Sequence, residues 1–219
     1  EIKDETKESI FNSTIFDMTK LGRSEKISLS ILSGIIRRYG SKFSLNSLAK
    51  EMEIGSHLTV RDYLELMEQL YILRNYHQID LSRKIVLLRK ERKVYFTDPF
   101  LYRVFSERLH VASEPSFLVE GVVGEHLKRS HAETHFLSGK KEVDFVVGDA
   151  GVEVKWKKRT TTKEYPRVGI KRKILLGKEG IDYDEDRNLV MLPAQVFLIG
   201  LGQRSISMLN NSKAIIEIE

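Results

Sequence analysis

A chain of 219 residues that is 41% hydrophobic can bury a sizeable core, either in one large domain or in two small ones, and two domains is the expectation here. The lack of cysteine excludes disulfide scaffolds, thiolate metal sites and cysteine nucleophiles, so any metal must sit on oxygen or imidazole. No apolar run approaches the ~18 residues of a membrane span and "EIKDETKESI" is neither signal peptide nor basic presequence, so a cytoplasmic protein without a membrane partner is expected, whose net charge of +5 is compatible with nucleic acid but too common to establish it.

Residues 24–39, "SEKISLSILSGIIRRY", place Ile27, Ile31, Leu32, Ile35 and Ile36 on one helical face, with Gly40 as a stop. Leu45, Leu48, Ala49 and Met52 then mark a short helix and "IGS" a turn. Val60, Tyr63, Leu64, Met67, Leu70 and Tyr71 mark a longer second helix. A short helix, a glycine turn and another helix is the helix-turn-helix plan. "LRNYHQI" and "KVYFTD" read as two strands around a basic segment, a wing, so residues 1–110 are expected to form a winged-helix domain. Its second helix would offer His57, Thr59 and Arg61 to a DNA groove from its first turn, because Asp62, Glu65 and Glu68 farther along would face phosphate. The wing adds Arg89, Lys90, Arg92 and Lys93, beside Arg83 and Lys84. A docking role for protein is the competing reading of the same acid-rich helix.

Residues 100–108 read as a helix closing this domain and "HVASEPS" as a linker. Residues 111–219 are the second domain. Its opening helix, residues 117–130, carries Glu120 and Glu125, and "HAETHFL" follows as a short strand. "EVDFVV" and "VEVKW" are then two strands joined by "GDAG", taken as a four-residue turn that sets Val147 opposite Val152 and Asp144 opposite Lys155. Alternation places Glu142, Asp144, Glu153, Lys155 and Lys157 on one face and Val143, Phe145, Val147, Val152, Val154 and Trp156 on the other. Any half-exposed hairpin alternates in this way. An acid in one strand followed by acid, spacer and lysine in the next is more specific: Asp144 and Glu153, diagonal neighbours at ~7 to 8 Å, would converge on Mg²⁺ or Mn²⁺ with Lys155 beside them. Metal, water and lysine together cleave phosphodiesters.

A run from Lys155 to Lys173 includes Lys157, Lys158, Arg159, Lys163, Lys171, Arg172 and Lys173 against the single acid Glu164. It lacks an apolar period, so it is expected to be a flexible loop or marginal helix that orders on DNA, contacting phosphates beside the metal site. "DYDED", residues 182–186, reads as a solvated loop, and His126, His131 and His135 lack metal-ligand spacing.

The pattern of Asp144 followed by Glu153, Val154 and Lys155 resembles the PD-(D/E)XK nuclease superfamily, with Val143 where the motif has proline. Together with the winged helix and the later "NLVMLPAQVFLIG", the order resembles the C-terminal region of archaeal and bacterial AAA-type ATPases. The resemblance implies an α/β (α+β) chain with a restriction-endonuclease-like second domain, a central mixed sheet flanked by helices. It implies Asp144, Glu153 and Lys155 as catalytic residues, Glu120 or Glu125 as a further Mg²⁺ ligand, and the ATPase domain of the same parent protein as partner. Residues 1–23 would be the end of that ATPase's lid. The chain has no phosphate-binding loop of its own, since neither "GK" is followed by Ser or Thr. Two other functions fit the same elements: a catalytically silent docking or regulatory module, and a winged-helix transcription regulator.

Overall fold

The computed structural model describes residues 2–112 and 115–203. These form a mixed α/β protein with seven α-helices and eight strands. The mixed sheet has the strand order β2-β1-β3-β4-β5-β6-β8-β7. Two compact units divide the chain: residues 1–76 with 88–121, and residues 77–87 with 122–219.

The first unit begins with α1 (Asp4–Lys20) and α2 (Glu25–Arg37). α1 is a full helix of 17 residues. Its buried Ile15 and Met18 are too few for a strong amphipathic signal. It contacts α2 and α5 (Pro99–Arg108), with the Phe11 and Phe105 rings 5.2 Å apart and Lys7 ion-paired to Glu107 at 2.8 Å. α2 buries Ile31, Leu32, Ile35 and Ile36, as the 3.6-residue period dictates. α3 (Leu45–Glu51) and α4 (His57–Gln69) follow. Each starts on a serine whose hydroxyl accepts a backbone N–H, Ser44 from Ser47 at 3.0 Å and Ser56 from Leu58 at 3.1 Å. β1 (Leu73–Asp80) and β2 (Ile85–Phe96) come next, and Phe43 forms an antiparallel bridge with Arg92. α5 starts on Asp98, which accepts the Phe100 N–H at 2.6 Å, with Pro99 at the first helical position.

α6 (Pro115–Ser130) contributes to both units, and the second holds β3 (Thr134–Leu137), β4 (Val143–Val147), β5 (Ala150–Val154), β6 (Arg172–Gly177), β7 (Asp182–Asp184), β8 (Leu189–Pro193) and α7 (Ala194–Gln203). β3, β4 and β5 run as an antiparallel meander. β5, β6 and β8 are parallel, and β7 edges β8 antiparallel. Thus "DYDED", expected as a loop, supplies an edge strand. No described helix is long and apolar enough to cross a membrane.

Candidate active site

The β4–β5 turn decides the geometry. Gly148 adopts φ 58° at the first turn position, a conformation glycine takes without Cβ strain, and it closes a two-residue turn over Gly148 and Asp149. Val147 therefore pairs with Ala150 and Phe145 with Val152, two residues away from the four-residue turn expected from "GDAG". Gly151 belongs to the strand. Its missing side chain makes room for the Tyr165 hydroxyl, 2.4 Å from where a Cβ would lie, and for Ile170 Cδ1 at 2.7 Å.

Carried one step further, this register sets Asp144 opposite Glu153 instead of Lys155. A two-residue shift preserves the faces, so the expected carboxylate face survives while its pairs change. Beyond Phe145 the side chains take over the ladder: the Asp144 N–H donates to Glu153 Oε2 at 3.2 Å, and the Val154 N–H donates to Asp144 Oδ2 at 3.0 Å. Lys155 Nζ lies 2.6 Å from Glu153 Oε1, with its side chain 38% exposed where that of Glu153 is 7% exposed. Burial, then the neighbouring Asp144 charge, push the Glu153 carboxyl up to about 7 against the opposing pull of Lys155. The pair is a buried concentration of negative charge that one lysine offsets in part.

Two oxygen-bearing side chains on adjacent strands are a donor set that fits Mg²⁺, which binds through one or two carboxylates, keeps several waters and takes substrate phosphates as further ligands. Among the described residues no group of three or more His, Asp or Glu could hold a metal ion together. Glu120 is engaged in the first unit, with Lys93 Nζ 3.0 Å from its Oε1 and the Tyr95 hydroxyl donating to the same oxygen. Glu125 is 2% exposed and accepts from Arg129 Nε at 2.7 Å, one helical turn on.

The basic residues divide by burial. Lys157, Lys158, Arg159, Lys163 and Lys171 are exposed, though Lys157 lies 2.5 Å from Glu164. Arg172 and Lys173 are residues of β6; Arg172 is ion-paired with Asp149, and Lys173 Nζ donates to the Arg187 carbonyl at 2.8 Å. The segment before β6 is an anchored structure where a flexible loop or marginal helix is expected. Residues Thr162–Glu164 make a 3₁₀ turn, and the Arg187 guanidinium donates to the carbonyls of Thr162 and Tyr165, 2.8 Å each. In the hairpin, Arg89 and Lys90 are exposed while Arg92 and Lys93 are 4% and 1% exposed, turned inward away from any phosphate. Burial pulls the Arg92 guanidinium down. On α4, His57 and Arg61 are exposed and Thr59 half-buried, and Arg61 donates to Asp62 at 2.9 Å.

Sequence reasoning missed Tyr165. Its ring is buried and its hydroxyl, enclosed above Gly151, has no hydrogen-bond partner among the described residues. Burial, then the charges of Glu153 and Asp144, raise its pKa, so it remains a neutral phenol beside the carboxylates. The available signal was an aromatic residue with Val168 and Ile170 inside a basic run, the mark of an anchored segment.

Residues 4–109, which span α1 to α5, match the family model described as a domain of unknown function (DUF8612). No curated protein and no solved structure matches the chain.

Proposed function

We propose that the protein is a Mg²⁺-dependent phosphodiester hydrolase acting on DNA, built as a winged-helix domain followed by a PD-(D/E)XK-like domain. The observation that carries this reading is the buried pair of Asp144 and Glu153, opposed across β4 and β5, with the Lys155 ammonium 2.6 Å from Glu153. Asp144 and Glu153 would hold the ion. When bound, Mg²⁺ supplies a Lewis acid for the phosphate and a water of lowered pKa. Lys155, at the exposed edge of the pair, partly offsets the negative charge of Glu153 and Asp144 and places positive charge where phosphate oxygens gain negative charge in the transition state. Lys158, Arg159 and Lys163 lie close in sequence to Lys155 and are exposed to bind flanking phosphates. Support for the winged helix is the order α2, α3, α4 and a β1–β2 hairpin, with α4 capped by Ser56. The ATPase portion of a parent protein is the partner that the resemblance implies.

One observation favours a second reading, a silent module that regulates such an ATPase: each carboxylate already accepts a backbone N–H and Lys155 is already paired. Incubation with branched, single-stranded and duplex DNA in Mg²⁺ or Mn²⁺ separates the two. The hydrolase reading expects cleavage that Asp144→Asn lowers by about a hundredfold or more. No cleavage, together with no calorimetric heat of Mn²⁺ binding at millimolar metal, would leave the silent module.

A further inference from the structure

The second unit contains a cavity of about 510 Å³ on the same face of the sheet as the carboxylates. Strand register fixes its place. His135 pairs with Val146, and Val146 with Gly151, so these three form one rung across β3, β4 and β5. Asp144 and Glu153 lie two residues along the same strands, a step of ~7 Å on the same face. At Gly151 the rung is covered by Tyr165 and Ile170; at His135 and Val146 it opens into the cavity.

The lining has the composition of a ligand site, apolar walls with a few polar groups. Ile79, Val86, Val146 and Ile170 supply apolar wall, while Lys84 and Lys171, both exposed, stand at its rim with the acids Glu133 and Asp149, the latter ion-paired with Arg172. His135 Nδ1 is buried without a hydrogen-bond partner among the described residues. Burial, and then Lys128, lower the His135 pKa, while Glu133 opposes them, so its imidazole is neutral near pH 7 and offers one donor and one acceptor. A bare phosphate would leave the apolar walls wet, and an aliphatic ligand would leave the imidazole unpaired. A heterocyclic base bearing a phosphate satisfies the walls, the imidazole and the lysines together. The exposed basic segment leads from Lys155 at the carboxylates to Lys171 at the rim, and so joins the two places along one chain path.

We propose that this cavity receives the base of one unstacked nucleotide next to the scissile phosphate, so that the substrate is a single-stranded segment of DNA. In a continuous duplex every base is stacked and paired, and its face is closed to such a cavity; an unpaired base enters at little cost. The inference rests on the proposed carboxylate site for its chemistry but makes a binding claim that needs no metal.

The test is fluorescence anisotropy in EDTA, with a short labelled single strand and the duplex of the same sequence, on the full chain. Two variants alter the cavity. Gly169→Trp fills it from a wall position where an added Cβ meets nothing within 4 Å, and His135→Phe removes the polar atoms. With thermal melts like that of the wild type, both are expected to weaken single-strand binding about tenfold and to leave duplex binding unchanged. Single-strand affinity within about twofold of wild type in both variants would overturn the inference. Equal losses on duplex, or no DNA binding by the wild type, would overturn it too. Failure of the carboxylate reading appears elsewhere, as metal-dependent cleavage indifferent to Asp144→Asn.

Discussion

Glu153 sits where the fold penalises its charge, and this has a pH signature. Its folded pKa of about 7 lies above its ordinary value of 4.5. A raised carboxyl contributes stability that is full below the unfolded pKa and is lost as pH rises through the folded one. Unfolding free energy should therefore fall between pH 4.5 and 7 in EDTA, by on the order of 3 kcal/mol at most. Glu153→Gln keeps an acceptor for the Asp144 N–H and has nothing to ionise. Denaturant melts of this variant should show a flatter profile and greater stability than wild type at pH 8; a wild-type slope would mean that Glu153 titrates normally. Asp144, Glu153 and Lys155 were legible in the sequence because alternation with large apolar residues exposes an acid out of place. Tyr165 was not, because burial of a residue in a basic, aperiodic segment depends on Arg187, 22 positions away, holding its carbonyl.

At the scale of elements, the hairpin shows what a pattern fixes and what it leaves open. The two-residue period determined which side chains share a face. The pairing depended on one dihedral angle at Gly148, and the sequence "GDAG" is equally compatible with either glycine as turn residue. The order of α2 to α4 followed from apolar periodicity, with Gly40 and "IGS" as breaks. β6 and β8 did not, since "KILLG" and "LVML" are short continuous apolar runs that period alone cannot divide between helix and strand. The basic segment yields a prediction at this scale. Lys157 is neutralised by Glu164, so Lys158, Arg159 and Lys163 are the exposed cations that follow Lys155 most closely in sequence. If they neutralise three phosphates, they contribute roughly −2.7 to the log–log salt slope of duplex binding. Alanine at all three should flatten the slope by that amount and weaken all sequences alike. An unchanged slope in salt titrations would return the segment to the role of a solvated surface.

For the whole molecule, chain length gave the expectation of two domains, and the linker sequence drew the line near residue 110. Contacts in three dimensions divide the chain otherwise, because residues 77–87 group with the second unit and residues up to Gly121 with the first. Linear sequence carries no signal for such an exchange. The buried pair of Lys93 and Glu120 therefore has a practical consequence for dissecting the protein. Lys93 is 1% exposed, and its carboxylate partner arrives 27 residues later, on the first half of α6. A fragment ending at residue 110 would contain the matched family region and every helix through α5, yet would take Glu120 away from a buried ammonium. Removing one member of a buried ion pair costs about 3–5 kcal/mol, a large share of a small domain's stability. A fragment of residues 1–110 should melt well below the full chain, or fail to fold, when followed by circular dichroism. Lys93→Met within that fragment should recover part of the loss, since it replaces a buried charge that has lost Glu120 with an apolar side chain of similar length.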